Sequence, residues 1–201
     1  MYGGANETRY ALDVIGLMAW IKKGSVEPDT VIRAYFNPTR LLSLQTRLSA
    51  AYKGVMALLL KVGCMDFVSG RAMDFTSFID EAIDIHHIFP RAYAEKRYKR
   101  EKWNSIVNKT PLFARTNRIL GGHAPSVYLN RIERGDKVKT EDLNKYISSH
   151  LINLEYLKLD NFDDYFAERA KALLDLISNA MGKTIANRDS EEMIAAFGKS
   201  I

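Results

Sequence analysis

At 201 residues the chain is long enough for one well-formed core or two small ones, and 47% hydrophobic with 26% charged residues is an ordinary globular composition. A single cysteine, Cys64, excludes an internal disulfide framework and a multi-cysteine zinc site, which suits a reducing cytoplasm. The net charge of +5 is unevenly spread, with +2 on residues 1–80, +6 on residues 81–135 and −3 on residues 136–201, so a phosphate-bearing partner would meet the middle of the chain.

Met1 is followed by YGGANETRY, with neither a basic nor an apolar segment, so no secretory leader is expected. The longest apolar runs, such as Val55 to Leu60, are far short of a membrane span, and no membrane partner is expected. Residues 7–23 are apolar nearly all round, with Tyr10, Val14, Leu17 and Ile21 on one stripe and Ala11, Ile15 and Met18 on another. That pattern predicts a largely buried helix, ended by Gly24-Ser25. Glu27-Pro28-Asp29 can start a short second helix through Tyr35. Asn37-Pro38 then opens what reads as a long scaffold helix carrying Leu41, Leu44, Leu48, Tyr52, Val55 and Leu59, stopped by Gly63.

From Cys64 to Asp80 the pattern breaks up around Gly70, and TSFIDEA offers a turn of helix. Ile83, Ile85 and Ile88 alternate as in a strand that runs into His86 and His87. Asn108 lies in a second extended run, VNKTPLF, and ARTNRIL reads as a short helix containing Asn117. Gly121-Gly122 marks a sharp turn before a helix started by Pro125 and closed by Gly135. Thr140 begins another helix, through roughly His150. Asn161 caps a long helix with Phe162, Phe166, Leu173, Ile177 and Met181 inward and Gly182 at its end. Asp189-Ser190-Glu191-Glu192 can cap a last helix to Phe197. No repeat, low-complexity segment or linker interrupts this order. The expected fold class is mostly α, a helical scaffold carrying a small β-hairpin element. Residues 1–80 would form the scaffold, 81–135 a finger and 136–201 C-terminal helices packed on the scaffold.

The segment from Ile83 to Leu120 concentrates the chemistry. Hydrolysis of a phosphodiester at neutral pH needs an activated water and stabilised negative charge on the phosphate. An imidazole with a pKa near 6.5 can take the water's proton. A single divalent metal needs only two or three protein ligands, and a neutral histidine and an asparagine carbonyl suffice. Adjacent histidines at a strand end can splay around one phosphate, one turned to metal and one to water. The intervening stretch RAYAEKRYKREK holds six Lys/Arg against two Asp/Glu, as a phosphate-binding loop would. Tyr98 and Trp103 within it could stack on bases or anchor the loop, and His150 is most simply structural.

Asp84-x-His86-His87-Ile88-x-Pro90, with Asn108 and with Asn117-Arg118, resembles the HNH or ββα-metal nuclease finger, and its asparagine spacing is similar to the HNH domain of CRISPR effector nucleases. The longer run IDIHHIFPR…NSIVNKTPL.ARTNRI.GG.APS.YL resembles the C-terminal half of GmrSD-type modification-dependent (type IV) restriction endonucleases and their relatives in phage defence, over roughly Cys64 to Arg134. The resemblance implies a metal-dependent DNA endonuclease with His87 as general base, His86 and Asn117 as metal ligands, and Asn108 orienting the loop that bears the base. Asp84 and His123 would be accessory. Lys109, Arg115 and Arg118 would bind phosphates beside the metal, and Arg91, Lys96, Arg97, Lys99 and Arg100 the flanking DNA backbone.

The implied cofactor is one divalent metal: Mg, Mn, or a transition metal such as Ni or Zn. His86 stands where many relatives have aspartate, which softens the site toward transition metals. Such proteins carry an N-terminal nucleotide-dependent domain, which nothing in residues 1–80 resembles. The chain is therefore expected to be the C-terminal part of a longer protein, or to work with a partner subunit. A catalytically silent DNA-binding module, or a protein-interaction module of a defence complex resting on the acidic C-terminal helices, would share most of these features.

Overall fold

The fold is mostly helical with a small two-stranded antiparallel sheet. It is seen in a computed structural model, which describes residues 7–24, 27–73 and 83–201. The expected turn of helix in TSFIDEA lies outside the described residues. Backbone contacts divide the chain into two compact units, Met1–Asn37 and Pro38–Ile201. No helix among the described residues is long and apolar enough to cross a membrane.

In the first unit the helix Glu7–Lys23 forms over the range that periodicity predicts, and Asp29–Ile32 adds one short turn. Asp13 accepts from the Thr30 backbone N–H and hydroxyl, tying the two together. The expectation that the first helix is largely buried fails: Ile15 is 79% and Ile21 66% exposed. Apolar periodicity marks a surface that could be covered, and the four-residue helix of this unit is too small to cover two stripes.

In the second unit the long scaffold helix expected from Asn37 to Gly63 is two helices, Arg40–Ser43 and Ala50–Lys61. Leu44 leaves the helical region at ψ 79°, and the Ser49 side chain accepts from the Tyr52 N–H, restarting the helix with a local cap. Leu48, counted among the apolar stripe, is consequently 87% exposed. Gly63 follows the second helix in the left-handed region at φ +81°. Residues 64–73 fold back on themselves through the Met65–Ala72 bridge. Gly70 is required there, because φ is +65° and an added Cβ would lie 2.3 Å from the Tyr146 ring.

Strands β1 (Ile83–His87) and β2 (Lys109–Phe113) pair antiparallel, with His87 opposite Lys109, His86 opposite Thr110 and Asp84 opposite Leu112. The basic stretch between them is not one loop but contains two short helices, Arg91–Ala94 and Arg100–Trp103. Ala114–Leu120 and Pro125–Gly135 form where Pro125 and the glycines place them. Thr140–Ser148 follows, then a one-turn helix, Leu154–Lys158, that periodicity had not separated out. Asn161 accepts from Asp164 N–H to cap Phe162–Met181, Gly182 closes it in the left-handed region, and Ser190 caps Glu191–Phe197.

The long helix positions the site. Phe89, two residues past β1, meets Phe162 edge-on at 5.1 Å and Tyr165 at 4.9 Å, while Tyr98 stacks on Phe162 at 4.0 Å. Tyr98 and the buried Trp103 therefore anchor the basic segment. From the same helix, Arg169 donates to the carbonyls of Val107 (2.5 Å) and Lys109 (2.9 Å), and the Tyr165 hydroxyl donates to Val107 as well. These bonds satisfy backbone acceptors that the short strand leaves unpaired.

His150, just past the helix Thr140–Ser148, is fully buried and structural. One ring nitrogen lies 2.6 Å from the Met65 carbonyl and the other 2.5 Å from the Thr110 hydroxyl, so a neutral ring donates to the first and accepts from the second. Burial pushes its pKa down to about 3. An unfolded chain would bind this proton near pH 6.5, so His150's contribution is complete above pH 6.5 and is lost as pH falls toward 3. Stability of the parent should fall by up to about 1.4 kcal/mol per pH unit through that window from this residue alone. Urea titrations at pH 7, 5.5 and 4.5 should show a steeper decline in the parent than in His150→Gln, and parallel declines would refute this role.

Candidate active site

β1 alternates its side chains, so Asp84 and His86 share one side of the two-stranded ribbon and His87 the other, at the last rung. The helix Ala114–Leu120 follows β2 directly and brings Asn117 to the first side, where its Nδ2 lies 3.4 Å from Asp84 Oδ2. The start of that helix is held by buried Asp66, which accepts from the Phe113 N–H (3.2 Å) and the Thr116 hydroxyl (2.8 Å).

Asp84, His86 and Asn117 thus converge, as a carboxylate, an imidazole and an amide. His86 Nε2 is buried and has no hydrogen-bond partner among the described residues. An unpaired buried ring nitrogen is costly unless something binds it. Burial and then the neighbouring His87 push its pKa down to about 4, with Asn117 and Asp84 pulling the other way. The ring is therefore neutral at physiological pH, the form in which imidazole ligates a metal. No group of three His, Cys, Asp or Glu side chains that could hold a metal occurs among the described residues. The donor set fits one divalent ion only with the amide of Asn117 included, and an oxygen-rich set with one nitrogen accommodates Mg, Mn or a softer metal.

On the other side of the ribbon His87 Nε2 lies 3.1 Å from Asn104 Oδ1, and its ring is tilted against Trp103 at 5.7 Å. Burial pushes its pKa down to about 4, opposed by Asn104 and reinforced by Lys109 and Arg91. His87 too is neutral at physiological pH and able to accept a proton.

Asn108 is fully buried behind this pair. Its Oδ1 accepts from Phe89 N–H (2.9 Å), and its Nδ2 donates to the carbonyls of Phe89 (2.9 Å) and Trp103 (2.8 Å). Its own carbonyl accepts from Ile88 N–H at 3.0 Å, and the Tyr128 hydroxyl donates to the Ile88 carbonyl at 3.0 Å. The backbone just after His87 is therefore pinned on every polar atom of residues 88 and 89. The resemblance implies that Asn108 orients the loop bearing His87, and these are the bonds through which it would do so.

Arg91, Arg97, Lys99 and Arg100 are exposed, as are Arg115 and Arg118 on the helix that carries Asn117. Arg91 pairs with Glu95 at 2.9 Å, and Arg97 donates to the Tyr93 carbonyl at 2.7 Å. Lys109 departs from its expected role as a phosphate contact. It is 6% exposed, its ammonium donates to the Gln45 carbonyl at 2.5 Å, and burial pushes its pKa down to about 8. Its place opposite His87 turns it toward the scaffold rather than toward solvent. His123 is exposed beside Gly121, and no hydrogen bond among the described residues ties it to Asp84, His86 or Asn117.

Sequence reasoning passed over Asn104, Gln45 and Arg169. Asn104 sits in a turn where asparagine is unremarked, and Gln45 is 59 residues from the asparagine it touches. Arg169 did carry a signal, a lone cation on the inward face of the long helix.

An archaeal protein, Uncharacterized protein MJ0686 of Methanocaldococcus jannaschii, is 26% identical over 202 aligned positions, covering 88% of this chain and 34% of its own length. The chain therefore spans about a third of the length of the curated relative it matches. No family model matches the chain, and no solved structure does.

Proposed function

We propose that this chain carries a metal-dependent DNA endonuclease site of the HNH kind, which hydrolyses phosphodiester bonds in restriction or phage defence. One observation supports the reading above the others: Asp84, His86 and Asn117 lie on one side of the ribbon, with Asn117 bonded to Asp84 and a buried His86 Nε2 that has no hydrogen-bond partner among the described residues, next in sequence to the neutral imidazole of His87. The defence role rests on the resemblance of residues 64–134 alone.

Asp84, His86 and Asn117 would hold one divalent ion. The chemistry such an ion supplies is polarisation of the phosphate and neutralisation of charge on the leaving oxygen. The chain's own residues do the rest. His87 takes the proton of the attacking water, Asn108 keeps the backbone behind His87 from shifting, and Arg115 and Arg118 approach the phosphate from the helix that carries Asn117. Arg91, Lys96, Arg97, Lys99 and Arg100 contact the flanking strand.

Calorimetric titration with manganese or nickel is expected to show one site, weakened at least tenfold in His86→Ala. Unchanged affinity in that variant would remove His86 from the ligand set. Reversing Arg97, Lys99 and Arg100 to glutamate is expected to weaken binding to any duplex and to flatten the slope of log affinity against log salt by about three. A loss confined to one DNA sequence, with the slope intact, would point to base readout instead.

A further inference from the structure

Two residues to which the proposed reaction gives no part meet His87 in series, Asn104 directly and Gln45 through it. Asn104 and Gln45 are both half-buried, and the Asn104 side chain bonds to His87, 17 residues away in sequence, and to Gln45, 59 residues away. Its two partners come from β1 and from the break between the helices Arg40–Ser43 and Ala50–Lys61.

The direction of each hydrogen bond follows from one fixed end. Gln45 Nε2 lies 3.3 Å from the Leu42 carbonyl, which can only accept, so the Gln45 amide must present Oε1 on its other side. Asn104 Nδ2 lies 3.4 Å from that Oε1 and must donate to it. Asn104 therefore turns Oδ1, an acceptor, toward His87 Nε2 at 3.1 Å. An acceptor there requires a hydrogen on Nε2, and in a neutral ring that leaves the lone pair on Nδ1.

We propose that Asn104, oriented by Gln45, is a positioning residue that holds His87 in the tautomer with its hydrogen on Nε2, so that Nδ1 is the nitrogen facing the water. The proposal rests on the nuclease reading for the water, but not for the tautomer. It also gives the scaffold a part in the chemistry. The turn at residues 44–49 breaks the helix, and Gln45 then serves the site twice, with its side chain on Asn104 and its carbonyl on Lys109.

The test reads the ring directly. Nitrogen-15 spectra of the full chain, labelled at histidine, should show His87 as the Nε2–H tautomer with an exchange-protected ring proton. In Asn104→Leu, which keeps the volume and removes the acceptor, that proton should exchange freely, and kcat for plasmid nicking should fall about tenfold or more with KM unchanged. Asn104→Asp, which keeps an acceptor toward Nε2 although its second oxygen meets Gln45 Oε1, should keep the Nε2–H tautomer and part of the rate. Gln45→Leu, distant from the ring, should produce a weaker version of the Asn104→Leu spectrum even if that variant folds poorly. A parent spectrum with the hydrogen on Nδ1 would overturn the proposal, as would an Asn104→Leu variant with the parental proton and rate. A protein that cleaves no DNA but shows the protected Nε2–H, lost in Asn104→Leu, would overturn the nuclease reading and keep the positioning role.

Discussion

His87→Ala is expected to nick supercoiled plasmid at least a hundredfold more slowly than the parent while binding metal and DNA as the parent does. Removing a general base typically costs ~10²–10⁴ in rate and leaves ground-state binding alone. His86→Ala should behave differently, losing metal affinity along with rate and regaining part of its rate in excess metal. The contrast follows from the two sides of the ribbon. His86 shares its side with Asp84 and Asn117 and has a buried nitrogen without a hydrogen-bond partner among the described residues, whereas His87 has one nitrogen committed to Asn104. If His87→Ala cleaves at the parental rate, the base lies elsewhere. If the two variants exchange behaviours, the roles of ligand and base are reversed.

Asn108→Ala is expected to be the most damaging single change to the site's framework. It strips the partners from Phe89 N–H and from the carbonyls of Phe89 and Trp103, in a place no water reaches. Leaving each buried group unpaired costs about 1–3 kcal/mol, so the loss should be at least ~3 kcal/mol of a total of about 5–15. For a domain of this size that is a fall in melting temperature of roughly 6–12 °C. Asn108→Asp should fare little better despite its matching shape. Its second oxygen would face two carbonyl oxygens where the amide donated. Calorimetric scans of the three proteins decide the point, and a melting temperature in Asn108→Ala within a degree of the parent would show that these bonds do not hold the loop.

Elements with a local stop and start were legible in the chain itself. Pro125, Asn161 and Gly182 bound their helices where expected, because a fixed φ, a side-chain cap and a left-handed residue act within one turn. The break at residues 44–49 was not legible, since apolar spacing runs through it and the Ser49 cap looks like any serine inside a helix. Exposure of the helix Glu7–Lys23 was hidden for a related reason. Periodicity says which face is apolar and nothing about what covers it. At the site, the strands, Asn108 and the helix bearing Asn117 were legible because they follow one another in sequence. Lys109 was misjudged because a cation beside Asn108 reads as a phosphate contact until its strand partner and the Gln45 carbonyl are known. Gln45 itself carries no local signal, and only the folded chain brings it to Asn104.

Conversion of supercoiled plasmid to the nicked form tests the central claim most directly. The parent and His87→Ala should be purified in parallel, to exclude a trace nuclease, and assayed at equal concentration with magnesium, manganese, nickel or zinc and with chelator. The account predicts nicking by the parent with at least one of these metals, none with chelator, and a rate at least a hundredfold lower in the variant. A parent that binds the plasmid yet never nicks it with any divalent metal, or a variant that nicks as fast as the parent, would contradict it.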